Sequence, residues 1–369
     1  MKQPNQPDGL ARRIEAGWAQ PGPAPLWLRL PAALFGSLVR LRHALYRHGW
    51  LRAERLDVPV IVVGNRIVGG AGKTPTTLAL VAALRAAGWR PGIVSRGHGR
   101  EGAAPLGVTP ASTARDVGDE PLLMARRTGV PVWVGRDRVA AARALREHHP
   151  GVNLLVCDDG LQHLRLGRDL EVLVFDERGA GNGALLPAGP LREPIDTPSR
   201  VPQVLIYNAA RPSTALPGHL ARRGLAGAVV LADWWQGAPA TPAGLQALRG
   251  RPLRACAGVG QPERFFDALR AAGLTIEPVA LPDHHDYAML PWPDGQPGAP
   301  VELLLTEKDA VKLPAARLAA ERPHSRVWVV PLAFEPPPAF FAAIAEVLAR
   351  LAQPPGSAGA VASRPWTPD

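Results

Sequence analysis

From Val58 onward, short apolar runs alternate with stretches in which apolar residues recur every three or four positions. Side chains alternate faces along a strand and return to one face about every 3.6 residues in a helix, so the two patterns separate strands from helices. They predict strands at 58–63, 92–95, 130–134, 153–157, 170–175 and 203–207, with helices at 75–87, 120–128 and 138–148. Such a series builds a mostly parallel sheet flanked by helices. A linker near 209–220 separates it from strands at 229–232, 253–258 and 275–280 and a helix at 262–272. Strands at 301–306 and 327–330 and a helix at 338–352 close the chain's regular structure. The expected class is α/β: a mostly parallel sheet flanked by helices, with a second, smaller α/β domain and an N-terminal amphipathic helix. The expected divisions are an arm and helix over 1–50, a larger domain over 51–215 and a smaller domain over 216–335. A closing helix over 336–353 and a disordered tail over 354–369 follow.

Residues 1–25 are polar and proline-rich and read as a loose arm. The segment after it places Leu34, Leu38, Leu41 and Leu45 on one helical face, with Arg40, His43 and Arg47 roughly opposite. Trp27, Tyr46 and Trp50 flank it. Two readings stand: a basic amphipathic helix lying in a membrane surface, or a helix packed on the sheet that begins at Val58.

The strand at 58–63 runs into Gly69, Gly70 and Gly72, then Lys73-Thr74-Pro75 and an apolar-periodic helix. Glycines let backbone N–H groups close around phosphate oxygens at the positive end of a helix dipole. Lysine there reaches the terminal phosphates, a threonine hydroxyl ligates Mg²⁺, and proline suits the first helical turn. The chain therefore reads as a handler of nucleoside triphosphates, and the domain over 51–215 as a phosphate-loop (P-loop) NTPase-like kinase domain. It departs from the strict phosphate-loop pattern in carrying Ile67 where that pattern has glycine.

At 369 residues there is room for two domains. No uncharged apolar run approaches the ~20 residues of a membrane-spanning helix, and the N-terminus lacks the apolar core of a signal peptide. The bulk is expected on the cytoplasmic side. Cys157 and Cys256 have no metal-ligand spacing and suit a reducing compartment. The net charge of +10 admits nucleic acid, an anionic membrane surface or an acidic small molecule as partner. Aromatic residues interleave poorly with the basic ones, so no nucleic-acid partner is expected. Only four of 42 basic residues are lysines, a bias that makes Lys73, and Lys308 and Lys312 of TEKDAVK, informative.

Asp158 and Asp159 end the strand at 153–157, where a phosphate-loop enzyme holds Mg²⁺; an aspartate-glycine turn is the plainer reading. Asp119 and Glu120 precede a helix, either as dipole-favouring caps or as a general base. LPDHHDY at 281–287 reads, unaided, as a solvated polar loop, with acid–base work the alternative. GNGALLPAGPLREP at 181–194 is a long irregular loop, often a functional one. GVGQPERFF at 258–266 has glycines suited to close approach to a ligand.

These strings together resemble the tetraacyldisaccharide 4'-kinase family, which phosphorylates the lipid A disaccharide precursor. The resemblance runs from about Trp27 to Leu348. It rests on GN-x-x-VGG-x-GKTP at 64–75, SRG-x-G at 95–99, GDEP-LL at 118–123 and VGRDR at 134–138. DDGLQH at 158–163, GNG-x-LLPAGPLREP at 181–194, G-x-G-x-PERFF at 258–266, DHH at 283–285 and TEKDAVK at 306–312 complete it. It implies an ATP- and Mg²⁺-dependent kinase. The ATP-binding loop would be Ile67, Val68, Gly69, Gly70, Ala71, Gly72, Lys73 and Thr74. The catalytic carboxylate would be Asp119, acting as base in a dyad with His284, with Lys73 at the phosphates. Thr74, Asp158, Asp159 and Glu120 would lie near the metal. The substrate would be the lipid A disaccharide 1-phosphate. The N-terminal helix would hold a monomer at the cytoplasmic face of the inner membrane. The chain departs from the family at Ile67, commonly Thr, at Ala71, commonly Thr or Ser, and at His98, commonly Tyr.

Overall fold

The computed structural model describes residues 9–18, 22–100 and 102–352. The chain separates into two compact units. One is the described part of Met1–Val94, Arg138–Ala221 and Pro336–Asp369; the other is Ser95–Asp137 with Arg222–Glu335. These units do not follow the contiguous segments 51–215 and 216–335 expected from sequence. Residues 95–137 pair their apolar faces with the second unit's core: Val117, Leu122, Leu123 and Val134 pack with Leu303, Leu305 and Val327. The expected tail at 354–369 lies outside the described residues.

In the first unit the strands run in the order Pro91–Ser95, Leu154–Asp158, Val60–Gly64, Leu170–Asp176, Gln203–Asn208 and His219–Leu220, every neighbouring pair parallel. The last of these falls within the expected linker and adds an edge to the sheet. VIVVG, LLVCD and LEVLVFD are buried along their whole length. Continuous rather than alternating apolar runs are what a parallel sheet covered on both faces requires. Glu171 interrupts one run and is buried, but Arg168 pairs with it at 3.3 Å and Gln203 donates to it at 2.7 Å. The helices Lys73–Ala86, Arg138–His148 and Pro338–Ala352 belong to this unit; the last buries Phe340, Ile344 and Leu348 at helical spacing.

The N-terminal region differs from its expected form. A helix, Gly9–Trp18, occupies part of the supposed loose arm. Helix Leu26–Arg47 buries Leu28, Ala32 and Gly36, not its leucine stripe. Leu28 and Ala32 meet Ala188 of the 181–194 loop, and the Gly36 position lies against Leu185. Trp27, Leu30, Leu34, Leu38 and Leu41 stay exposed, Leu30 by 80%. The reading of a helix packed on the sheet is thereby corrected: Leu28, Ala32 and Gly36 dock on the 181–194 loop, and the face carrying Leu30, Leu34, Leu38 and Leu41 is exposed.

The second unit is built on a five-stranded sheet ordered Val229–Val230, Ser325–Val329, Val301–Leu305, Leu253–Ala257 and Ile276–Ala280. The first pair is antiparallel and the others parallel. Alternate residues feed two cores: Leu303, Leu305 and Cys256 face one side, Leu304, Ala255 and Ala257 the other. The expected strand at 229–232 is only two residues long, and Leu231–Trp235 turns into a helix that buries Leu231 and Trp234.

Candidate functional site

The first group of functional side chains lies in the first unit, beyond the carboxyl ends of its strands. That is where parallel α/β sheets bind ligands, because the following loops converge there. Val63 pairs with Asp158 in register, which brings the strand leading into the glycine loop beside the paired aspartates. Gly64 abuts Leu161 so closely that a β-carbon would sit 2.5 Å from the Leu161 Cβ. Gly69 and Gly72 have φ of 87° and 95°. A β-carbon on Gly72 would overlap the Asn208 side chain, whose Nδ2 donates to the Ala71 carbonyl at 3.2 Å. Only glycine fits that turn, and helix Lys73–Ala86 begins immediately after it.

Ile67 and Ala71 are fully buried. Ile67 bridges Leu191, and the Val68 N–H donates to Pro190 at 2.9 Å, so the loop's entry is sutured to the 181–194 segment. That explains how Ile67 is accommodated: its side chain fills the core. Arg178 donates to the carbonyls of Val68 at 3.0 Å and Gly70 at 2.9 Å, while its Nε pairs with buried Asp176 at 2.9 Å. The Lys73 ammonium lies 3.3 Å from the Gly69 carbonyl and 3.4 Å from both Asn65 Oδ1 and Asp159 Oδ1. Thr74 is partly exposed in the first helical turn. Thr77, one turn further on, donates to buried Asp158 at 2.9 Å.

Asp159 holds a left-handed conformation, φ 49°. Burial raises its pKa, but Lys73, Arg192 and Arg138 outweigh that and hold it below the ordinary carboxylate range. Arg192 also donates to Gln162 at 3.2 Å. Among the described residues no three His, Cys, Asp or Glu side chains form a metal cluster. Two carboxylates and a threonine hydroxyl are nonetheless a hard-oxygen set. Mg²⁺ keeps several waters and takes only one or two carboxylates beside phosphates.

The second group lies in the second unit. Gly118 has φ 91°, and a β-carbon there would come 2.9 Å from the His98 carbonyl. It opens helix Asp119–Thr128, whose Leu122 and Leu123 are buried in the core. That packing directs Asp119 inward, to 5% exposure at the helix N-terminus. One Asp119 oxygen accepts the Glu120 N–H at 2.9 Å. The other accepts from His284 Nδ1 at 2.9 Å and lies 3.8 Å from Lys312. Burial pushes the Asp119 pKa up, but the His284 hydrogen bond and the Lys308, His284 and Lys312 charges prevail and hold it at about 2. The same hydrogen bond raises the His284 pKa against its burial.

His284 sits in the left-handed region, φ 59°, as strained functional residues often do. Its N–H donates to Gly258 at 3.2 Å, and the Gly258 N–H donates to buried Asp309 at 3.0 Å. A β-carbon on Gly258 would meet Asp309 at 2.8 Å and His285 at 3.1 Å. The GVG glycines therefore allow close approach between loops; Gly260 likewise faces Asp283. Glu120 is paired with Lys308 at 3.4 Å.

The predicted residues thus fall into two sets: Ile67–Thr74 with Asp158 and Asp159, and Asp119 with Glu120 and His284. Sequence reasoning missed Asn65, Thr77, Arg178, Arg192 and Asn208. No periodicity marks them: Thr77, Arg178, Arg192 and Asn208 act through partners distant in the chain, and Asn65 through the fold of its own loop. The scarcity of lysine did mark Lys308 and Lys312, but without a role.

A family model described as tetraacyldisaccharide-1-P 4'-kinase, LpxK, matches residues 24–349. A tetraacyldisaccharide 4'-kinase of Leptothrix cholodnii is 62% identical over 344 residues, covering 93% of this chain and 97% of that protein. One of Methylibium petroleiphilum is 58% identical over 335 residues, covering 90% and 92%. The fold is similar to a crystal structure of LpxK from Aquifex aeolicus in complex with ATP. The TM-score is 0.71 at 27% identity, covering 86% of this chain and 98% of that one.

Proposed function

The chain belongs to the tetraacyldisaccharide-1-P 4'-kinase family, and from that premise we propose how its own residues carry the reaction. The protein is an ATP-dependent kinase that transfers the γ-phosphate of ATP to the 4'-hydroxyl of the tetraacyldisaccharide 1-phosphate precursor of lipid A. The hydrogen bond from His284 to buried Asp119 carries the chemical reading.

Backbone N–H groups of Ile67–Thr74 cradle the phosphates, and Lys73 exchanges its contacts with Gly69, Asn65 and Asp159 for phosphate oxygens. Mg²⁺–ATP, when bound, supplies the phosphoryl group and a cation that neutralises its oxygens. Thr74, Asp158 and Asp159 are the residues that would hold the cation, with Glu120 a further candidate. Arg178 fixes the loop carbonyls, so the N–H groups point the other way.

Asp119 and His284 form the base. A carboxyl held at about 2 is a weak proton acceptor, and both its oxygens are engaged. This supports His284 Nε2 as the atom that takes the hydroxyl proton, with ionised Asp119 orienting the ring and stabilising the imidazolium, the division of labour in acid–base triads. The hydroxyl O–H bond breaks as its oxygen bonds to the γ-phosphorus, and the bridging P–O bond breaks with its electrons leaving on ADP.

Helix Leu26–Arg47 is the membrane-facing element in this reading, holding the enzyme peripherally at the cytoplasmic face of the inner membrane. Its support is the exposed Trp27–Leu41 stripe opposite the docked small residues, with Arg29, Arg40, Arg42 and Arg47 exposed on the same helix. No helix among the described residues is long and apolar enough to cross a membrane.

Transfer of labelled γ-phosphate to the disaccharide 1-phosphate in mixed micelles tests the scheme. Wild type is expected to transfer, and Asp119→Ala and His284→Ala to lose about 10²–10⁴-fold in kcat. Full activity in either variant would sink the proposed chemistry.

A further inference from the structure

The other nitrogen of His284 has a neighbour of its own. Lys308 Nζ lies 3.4 Å from His284 Nε2, 3.3 Å from Asp283 Oδ1 and 3.4 Å from Glu120 Oε1. Its side chain is 18% exposed. The turn that carries it is fixed on both sides. Glu307 pairs with Arg127 at 2.5 Å and accepts from Trp234 at 3.1 Å. Asp309 accepts from the Gly258 N–H, from the Thr306 hydroxyl at 2.7 Å and from Lys312 at 3.1 Å. Two buried acids thus anchor the turn, and the lysine between them faces the histidine.

An ammonium can only donate, so the His284 nitrogen facing it must offer a lone pair. A proton on that nitrogen would put two cations edge to edge. We propose that Lys308 is a positioning residue that opposes protonation of His284 at Nε2 and so keeps that lone pair available in the resting enzyme. The proposal rests on the reading of Asp119 and His284 as the base and names the group that keeps this base ready.

The need for such a group follows from the surroundings. Asp119 favours the imidazolium through Nδ1, and Asp283 lies 3.9 Å from Nε2. The His98 ring lies beside it, tilted by 47°, with centroids 5.2 Å apart. Lys312 reaches Asp119, not the ring. Lys308 is therefore the one of these neighbours that opposes protonation at Nε2. Burial disfavours its own charge, but Glu120, Asp119 and Asp283 more than compensate, so it stays an ammonium. When the acceptor hydroxyl takes the lone pair, Asp283 and Glu120 retain the ammonium beside the same oxygen.

The test is the titration of His284 by NMR in the full-length protein, with its ring signal assigned by loss in His284→Gln. Lys308→Met should raise the proton affinity of His284 about tenfold or more, while Lys308→Arg, which keeps the charge, should leave it near wild type. The acid limb of kcat/KM should move to higher pH by the same amount. Lys308→Gln replaces Lys308→Met if the latter does not fold. An unmoved or lowered midpoint in the charge-removing variant overturns the proposal. So does an activity loss equal at every pH, the signature of a merely structural lysine. A shifted NMR midpoint with an unshifted kinetic limb leaves the role of Lys308 toward His284 standing and refutes His284 as the base.

Discussion

Gly72→Ala tests the phosphate loop at its tightest point. Gly72 has φ 95° and ψ 23°, a left-handed conformation that costs an L-residue about 1–2 kcal/mol. The new methyl would also overlap the Asn208 amide, with Cγ only 2.7 Å and Cβ 3.0 Å from the ideal position. Asn208 is buried, so it cannot swing into solvent. Moving it breaks its hydrogen bond to the Ala71 carbonyl, a further loss of about 0.5–1.5 kcal/mol. The two terms together come to roughly 2–3 kcal/mol. If the loop relaxes by leaving its phosphate-binding form, ATP affinity falls by about 30–150-fold. Titration calorimetry with a non-hydrolysable ATP analogue reads this directly. Adding Asn208→Ala should restore part of the affinity, because it removes the overlap with the amide but neither the 3.0 Å contact with Cβ nor the φ strain. Binding within twofold of wild type in Gly72→Ala, or no recovery in the double variant, would refute the steric account.

Acid stability follows from Asp119. Its folded pKa of about 2 lies below the ordinary 3.8, so the ionised group contributes stability above 3.8 that is lost as pH falls toward 2. The shift corresponds to about 2 kcal/mol, and denaturant unfolding should show wild type losing that much more than Asp119→Asn between about pH 5 and pH 2; equal losses would contradict it. On the N-terminal helix, Leu34→Glu with Leu38→Glu should leave unfolding within about 0.5 kcal/mol of wild type, because both leucines are exposed. The same pair should lower binding to anionic vesicles at least tenfold in co-sedimentation, and undiminished binding would count against the membrane reading.

Much of this molecule was written in the local pattern. The strands reappear within one or two residues of their expected bounds, and helix 138–148 coincides with its expectation. Such runs report their own burial: VIVVG and LLVCD are apolar because both faces of a parallel sheet are covered. The glycine loop was legible because its chemistry is backbone chemistry, set by residues that follow one another. The partition of the chain was not. Residues 95–137 interrupt the first unit in sequence, yet their apolar side chains complete the second unit's core.

The DHH loop could not be read alone. Nothing within 281–287 shows that His284 meets Asp119, 165 positions earlier, and Lys308, 24 positions later. A hydrogen bond of 2.9 Å depends on distance in space, and only packing sets that distance. The N-terminal helix shows the same limit, for its amphipathicity could not say which face docks. Sequence by itself determined the elements, the phosphate loop and the kinship. Tertiary structure decided which glycines are obligatory, which leucines meet solvent and which charges face the imidazole, because each depends on neighbours the chain brings together only by folding.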